Sequence, residues 1–345
     1  MADTVDKSHV ILITAPVEAD WLARLHSLSP GLQIEHWSAR SARAIPEDLW
    51  RDVEILFTSF ATRLPPPEQA PMLRWVQLYS AGPDSILDQP LFQTDVVFTT
   101  ASGVHAINMA EYIFTVVLAW FHRLPQIFEW QQHGQWPSSS ERSSLLVPEE
   151  LRGKTIGIVG YGSIGRHIAR LADAFGMLVL AMQRSADHRD RGFQFPGVGD
   201  PEGTLPGRYY TPDQLQSMLS ESDVVIIAVP LTSKTRGLFD RAAFEAMKPT
   251  AFLVNISRGD VCNEVALVRA LEEKQIAGAA LDVFHQEPLP PGHPLWSLPN
   301  AFISPHISGL TPHYNGRVAA IFEENLRRYL AGESLYNVVD KTQGY

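Results

Sequence analysis

The sequence predicts an α/β protein built from two doubly wound parallel-sheet domains, and three observations predict it. Residues 9–101 alternate short apolar runs ("HVILIT", "EILFTSF", "RWVQLYS", "DVVFTT") with helix-like segments such as "ADWLARLHSL", and strands that alternate with helical patterns form parallel βα units. From residue 155 a second series, "TIGIVG", "MLVLAM", "DVVIIAV", "AFLVNI", "IAGAALDV" and "AFIS", is apolar almost without interruption, as strands are when helices cover both faces of a parallel sheet. The chain of 345 residues is also long for a single core.

Within the first series, "LPPPEQAP" (64–71) cannot be a central strand, because proline donates nothing to a ladder. A long helix is expected from about His105 to Phe121; its apolar core "YIFTVVLAWF" (112–121) is too short to cross a bilayer and reads as buried. An irregular arm follows, "HGQWPSSSERSSLLVPEE" (133–150), with Trp136 exposed on it; it reads as a flexible linker or a dimer contact, and the exposed Trp favours the contact. Segment 184–208 carries five Gly and three Pro within residues 192–208 and reads as a loop. In "NGRVAAIFEENLRRYLAGE", Val318, Ile321, Phe322, Leu326 and Tyr329 keep helical spacing and Gly332 caps the end. This closing helix is expected to pack back on the first unit.

Apolar residues make up 45% of the chain and the formal net charge is −10. Lys and Arg are scattered, with no basic run of five, which argues against a nucleic-acid partner. The single cysteine, Cys262, has no internal disulfide partner, and "MADTVDKSHVILIT" lacks the basic start and apolar stretch of a secretory signal. The cytoplasm is the expected compartment, with no membrane partner.

The strongest local signal is "TIGIVGYGSIGRHIARLADAFG". A β-branched strand runs into Gly160, Gly162 and Gly165, with Tyr161, Ser163 and Ile164 between them, and Ile164, Ile168 and Leu171 then keep helical spacing. In such a turn the first glycine bends the chain, the second lets backbone approach a pyrophosphate, and the third lets helix and strand pack closely. Amides at the helix start meet the negative charge. Three later strands end on reactive residues: "FLVNISRGD" delivers Arg258, "LDVFHQEPLP" delivers Asp282 and Glu287, and "FISPHISG" delivers His306. Singly, each has a plain explanation as a surface cation, a solvated acid or a turn cap. Together, at the carboxyl ends of strands in one parallel sheet and behind a cofactor turn, they converge on a ligand crevice.

The order "GYGSIG", "VPLTSKTRGL", "NISRGDVCNEVALVRAL", "LDVFHQEPLP" and "SPHISG", with "LYSAGPD" and "GVHAINMAEY" before it, resembles the D-isomer-specific 2-hydroxyacid dehydrogenase family over nearly the whole chain. The resemblance implies a flavodoxin-like substrate-binding domain of residues 1–103 plus 312–345 and a Rossmann dinucleotide-binding domain of 104–311. It implies catalysis by Arg258, Glu287 and His306 without a metal, and substrate contacts from Ser80, Ala81 and Gly82 as well as from Arg258 and His306. Besides the glycine-rich turn, cofactor contacts would come from Val229, Pro230 and Thr235, from Ile256, Ser257 and Arg258, and from Asp282, His306 and Ser308, with Asp282 holding the nicotinamide carboxamide.

The residues suit that chemistry. A guanidinium offers paired donors to the carboxylate of a 2-oxo acid and polarises the neighbouring carbonyl. Backbone amides at Ala81 and Gly82 would hold the substrate where small residues let main chain come close. His306 can exchange a proton near neutral pH, and a Glu287 carboxylate beside it favours the charged ring. Glutamate in that place, rather than glutamine, argues against a formate dehydrogenase. The strand after the glycine-rich helix usually ends on Asp or Glu, which binds both ribose hydroxyls, but here it ends on Gln183, Arg184 and Ser185. The reading is therefore NADP, with NAD as the weaker alternative, Arg184 pairing with the 2′-phosphate and Arg189 or Arg191 reaching in beside it. The expected function is reduction of a small 2-oxo acid such as glyoxylate, hydroxypyruvate or a bulkier homologue to the D-2-hydroxy acid, by a homodimer. Loops such as "FTSFATRL" (57–64) would shape the substrate side-chain pocket. The alternatives are an NAD-dependent dehydrogenase of another small anion, such as phosphite, and a cofactor-sensing corepressor-like protein, which would be expected to carry recruitment tails.

Overall fold

The computed structural model describes residues 9–37, 45–59, 63–342 and 344. Phe60, Ala61 and Thr62 of the "FTSFATRL" loop and the first eight residues lie outside the described residues. The chain divides into two compact units, one of Met1–His105, Arg191–Phe193 and Thr311–Tyr345, the other of Ala106–Asp190 and Gln194–Leu310. Both are parallel α/β sheets.

The first unit runs β1 (His9–Ile13), α1 (Ala19–His26), β2 (Leu32–His36), α2 (Glu47–Trp50), β3 (Ile55–Thr58), β4 (Trp75–Leu78) and β5 (Val97–Thr99). Its strands lie in the order β2-β1-β3-β4-β5, a flavodoxin-like arrangement. One face buries Leu12, Leu56, Val76 and Phe98 in a single cluster. The other is closed by the last helix of the chain, Tyr314–Leu330: Phe322 stacks on Phe57 at 4.7 Å and on Trp75 at 5.3 Å. A buried polar link joins the same helix to the sheet, Asn325 Nδ2 donating to Gln77 Oε1 at 3.2 Å.

The second unit opens with three helices, α3 (Ala106–Phe121), α4 (Leu124–Gln132) and α5 (Ser139–Leu145). Residues 139–145 of the arm are thus helical where an irregular segment was expected, and the rest of 133–150 is irregular. Ser138 caps α5 by accepting from the Glu141 amide while Glu141 reaches back to the Ser138 amide, and this reciprocal pair outweighs the weak helix propensity of the serines. There follow β6 (Thr155–Val159), α6 (Ser163–Ala174), β7 (Leu178–Met182), β8 (Arg208–Tyr210), α7 (Leu215–Glu221), β9 (Val224–Ile227), α8 (Arg241–Ala246), β10 (Phe252–Asn255), α9 (Glu264–Glu272), β11 (Gly278–Leu281) and β12 (Ala301–Ile303); the closing helix in the first unit is then α10. The strand order is β12-β11-β10-β9-β6-β7-β8. Successive residues serve opposite faces: Ile156 and Ile158 pack with α3 and α6, whereas Val225, Ile227 and Leu253 pack with α7, α8 and α9. That two-sided burial explains the unbroken apolar runs. Strand order reverses between β6 and β9, the switch point at which open α/β sheets take ligands. Among the described residues no helix is long and apolar enough to cross a membrane.

Candidate active site

The turn after β6 has the shape its glycines predict. Gly160 sits at φ 106°, and a Cβ there would fall 2.6 Å from the Ala228 carbonyl oxygen at the end of β9. A Cβ on Gly165 would lie 2.3 Å from the Gly160 oxygen, while around Gly162 nothing stands within 4 Å. Ser163 and Ile164 begin α6, and no side chain caps its first amides. A tight bend, an open approach and uncapped amides at a helix start fit a pyrophosphate. Beyond β9, the Thr235 hydroxyl closes the Val229–Pro230 loop by donating to the Pro230 carbonyl at 2.6 Å.

At the end of β7 there is no carboxylate. The Gln183 amide turns along its own loop, Nε2 donating to the carbonyls of Ser185 at 3.1 Å and Asp187 at 2.6 Å, while its Oε1 is buried without a hydrogen-bond partner. Ser185 Oγ accepts from the Asp187 amide at 3.0 Å, and Arg184 lies exposed on the turn so formed. Arg189 pairs with Glu202 at 3.1 Å, Arg191 groups with the first unit, and Arg184 follows Gln183 directly on the turn.

β10 ends on Asn255, a buried polar residue whose role sequence reasoning missed. Its Oδ1 accepts from the amide and hydroxyl of Ser257 at 3.1 and 2.9 Å, and its Nδ2 donates to the Arg258 carbonyl at 3.2 Å. This lattice fixes the backbone from which Arg258 projects. Ile256 and Ser257 are buried, Arg258 is exposed, and its Nη1 donates to the Ser257 carbonyl at 2.8 Å. The next residue must be glycine: a Cβ on Gly259 would fall 1.9 Å from the Phe284 carbonyl carbon. The Arg258 and Glu287 loops therefore touch backbone to backbone. Asp260 also takes both His285 and Arg236 as partners, and these contacts hold its carboxyl below the usual range, His285 first, while Asp260 raises the His285 imidazole.

His306 Nδ1 lies 2.7 Å from Glu287 Oε2, and Glu287 Oε1 accepts from the Phe284 amide at 3.0 Å. An ionised carboxylate only accepts, so Nδ1 carries the proton of that bond and Nε2 is the nitrogen left for exchange. The ring sits on a left-handed residue, φ 53°, a conformation that costs energy and is held by its surroundings. Asp282 supplies the hold. Fully buried, it accepts from Ser304 Oγ at 2.5 Å, from the Ile307 amide at 2.9 Å and from the Ser308 amide at 2.9 Å, and its carbonyl accepts from the His306 amide at 3.0 Å. The resemblance gives Asp282 to the carboxamide; in the structure its carboxylate also ties down the His306 loop. Tyr112, also missed, extends the network to α3 through Ser304 at 2.6 Å. Ser308 Oγ is buried without a partner.

In the first unit, Ser80 Oγ donates to the Gly82 carbonyl at 2.6 Å and the Ser80 carbonyl accepts from the Ala101 amide at 2.8 Å. A Cβ on Gly82 would meet Asp84 Oδ2 at 2.8 Å. Tyr314 of α10 braces the turn, its hydroxyl donating to the Tyr79 carbonyl at 2.9 Å. Ser80, Ala81 and Gly82 are thus set in a compact turn of their own unit.

A glycine-rich turn at a switch point, with an arginine after β10 and a carboxylate-held histidine after β12, defines a dinucleotide-dependent oxidoreductase. The NAD binding domain profile of the D-isomer specific 2-hydroxyacid dehydrogenases matches residues 114–308. A glyoxylate reductase of Aeropyrum pernix is 34% identical over 295 residues, 84% of each chain. Among solved structures, a D-isomer specific 2-hydroxyacid dehydrogenase family protein of Aeromonas salmonicida is 32% identical with a TM-score of 0.75, over 97% of this chain and 100% of that one. A D-isomer specific 2-hydroxyacid dehydrogenase of Xanthobacter autotrophicus Py2, solved with NADPH and MES, is 27% identical with a TM-score of 0.76, over 98% and 100%. The chain belongs to the D-isomer-specific 2-hydroxyacid dehydrogenase family and is an NAD(P)-dependent 2-hydroxyacid oxidoreductase.

Proposed function

We propose that the chain reduces a small 2-oxo acid to the D-2-hydroxy acid and prefers NADPH. The observation that carries the chemistry is the His306–Glu287 pair at 2.7 Å, Glu287 standing on the loop packed against the one that bears Arg258. Arg258 binds the substrate carboxylate and polarises the 2-oxo group; His306 delivers a proton from Nε2 to the carbonyl oxygen, and Glu287 keeps the ring oriented. The Ser80–Gly82 turn keeps the role of a main-chain donor to the substrate. When bound, the nicotinamide supplies the hydride. The glyoxylate reductase relative supports an unbranched substrate such as glyoxylate or hydroxypyruvate.

The NADPH preference rests on the end of β7. An uncharged Gln183 does not repel a 2′-phosphate, and its amide shapes the turn that presents Arg184. The NADPH in the Xanthobacter structure supports this reading. Charge-assisted contacts of this kind give a preference of roughly 10-fold to 100-fold in kcat/KM. Steady-state assays of wild type and of Gln183→Asp/Arg184→Ala with both reduced cofactors test it: the wild type should favour NADPH and the double variant should lose that preference. A wild type that favours NADH refutes it.

The proposed assembly is a cytoplasmic homodimer formed through the arm. Trp136, Leu145 and Val147 of the arm are exposed, Trp136 at 86%, as is Phe128 on α4, and large exposed apolar side chains suit an interface. Light scattering at micromolar concentration should return twice the chain mass, and a Trp136→Ala/Leu145→Ser variant should shift towards the monomer.

A further inference from the structure

Segment 184–208 has the composition of a loose loop, yet it is clamped onto the phosphate-binding turn by buried charged groups. Arg166, one residue past Gly165, is 3% exposed. Its Nη1 donates to the Asp200 carbonyl and its Nη2 to the His188 carbonyl, each at 2.7 Å, with Asp190 at 3.7 Å. Tyr161, between Gly160 and Gly162, donates its hydroxyl to Asp200 Oδ2 at 2.7 Å, and the Arg166 guanidinium lies 4.8 Å over its ring. Asp200 also accepts the amides of Thr204 at 3.1 Å and Leu205 at 3.0 Å. Further along α6, His167 Nδ1 accepts from the Gly199 amide at 3.2 Å and Arg170 reaches the Gly199 carbonyl at 3.3 Å. The two limbs of the segment meet at Gly203, where a Cβ would fall 2.2 Å from the His188 carbonyl oxygen.

We propose that segment 184–208 is a brace for the glycine-rich turn, with Tyr161, Arg166 and Asp200 as positioning residues for the cofactor. The inference rests on reading that turn as the pyrophosphate site. Glycines let a phosphate approach, but they leave the backbone free to take many shapes. A turn made of them binds tightly only if something else fixes it, because apparent affinity falls with the fraction of molecules already in the competent shape. The brace supplies that shape from both sides, through Tyr161 inside the turn and Arg166 just behind it. Burying these groups is costly unless each is satisfied, and here each is. Burial alone would raise the Asp200 carboxyl, but the Tyr161 hydroxyl, the two amides and Arg166 outweigh it and hold it below the usual range. Burial and the same contact push the Tyr161 hydroxyl up, so donor and acceptor keep their roles across neutral pH.

The test uses Tyr161→Phe, which removes one hydroxyl, and Asp200→Ala, which releases the brace from its far end. Dissociation constants of NADPH and NADH for the full chain, read by fluorescence, should both rise about tenfold and by the same factor. For Asp200→Ala, kcat at saturating cofactor should stay at the wild-type value. Trypsin should cut at Arg184, Arg189 or Arg191 faster in both variants than in wild type, and added NADPH should slow the cut. Unchanged dissociation constants in a folded variant overturn the proposal, since the contacts would then serve only to cover α6. A rise for NADPH alone also overturns it, because the effect would then lie in the 2′-phosphate contact at Arg184. If Asp200→Ala does not fold, the outcome for Tyr161→Phe decides. If wild type binds neither NADPH nor NADH, the reading of the turn as a pyrophosphate site fails; if wild type binds them and the variants' dissociation constants match it, the brace alone fails.

Discussion

His306→Ala is expected to lower kcat by roughly 10² or more while KM changes little, because general acid catalysis acts in the transition state and hardly at all in substrate binding. The imidazole is the proton donor that the neighbouring strand ends hold ready: Nδ1 is engaged by Glu287 at 2.7 Å, and the left-handed backbone at His306 is held by bonds to Asp282 and Ser304. Steady-state reduction of glyoxylate or hydroxypyruvate by wild type and variant measures the effect. A kcat near the wild-type value sinks the assignment, because no other imidazole in the second unit stands on this loop.

Arg258→Ala should damage both parameters, with kcat/KM falling by roughly 10²–10³, since one guanidinium both binds the carboxylate and polarises the reacting carbonyl. Arg258→Lys should recover only part of the loss: an ammonium is a point charge and cannot offer two parallel donors. The asymmetry between the two substitutions reads geometry apart from charge. If Arg258→Ala retains normal kcat/KM for every 2-oxo acid tried, the carboxylate is bound elsewhere.

Parts of this site were legible because their causes are local. Gly160, Gly162 and Gly165 follow a β-branched strand and open a helix, and Arg258, Glu287 and His306 each follow an apolar strand, so strand order alone brings them to one sheet edge. What escaped was side-chain bonding over long separations. Nothing near Tyr112 in sequence points to Ser304, 192 residues away, and nothing near Tyr161 points to Asp200, 39 residues away. Asn255 left a signal, a polar residue closing an apolar strand, and Gly259 another, a glycine beside a functional arginine. α5 left the clearest unread sign, a serine followed three residues later by glutamate. β8 is three residues long and exists only because β7 gives it a partner. Gln183 was read for the charge it lacks; that its amide ties the turn was invisible, since a side chain's direction is set by the loop it helps to make.

The helix that closes the first sheet comes from the far end of the chain, and this orders events during synthesis. Trp75 and Phe57 emerge from the ribosome some two hundred and fifty residues before Phe322, the ring that stacks on both. The second unit is nearly contiguous in sequence and can finish while α10 is still being made. The first cannot, and its aromatic sheet face must wait uncovered through the translation of its neighbour. At about 5–20 residues per second that wait is on the order of ten seconds to a minute. Until α10 arrives, the surface most open to aggregation lies at the beginning of the chain, not at its end.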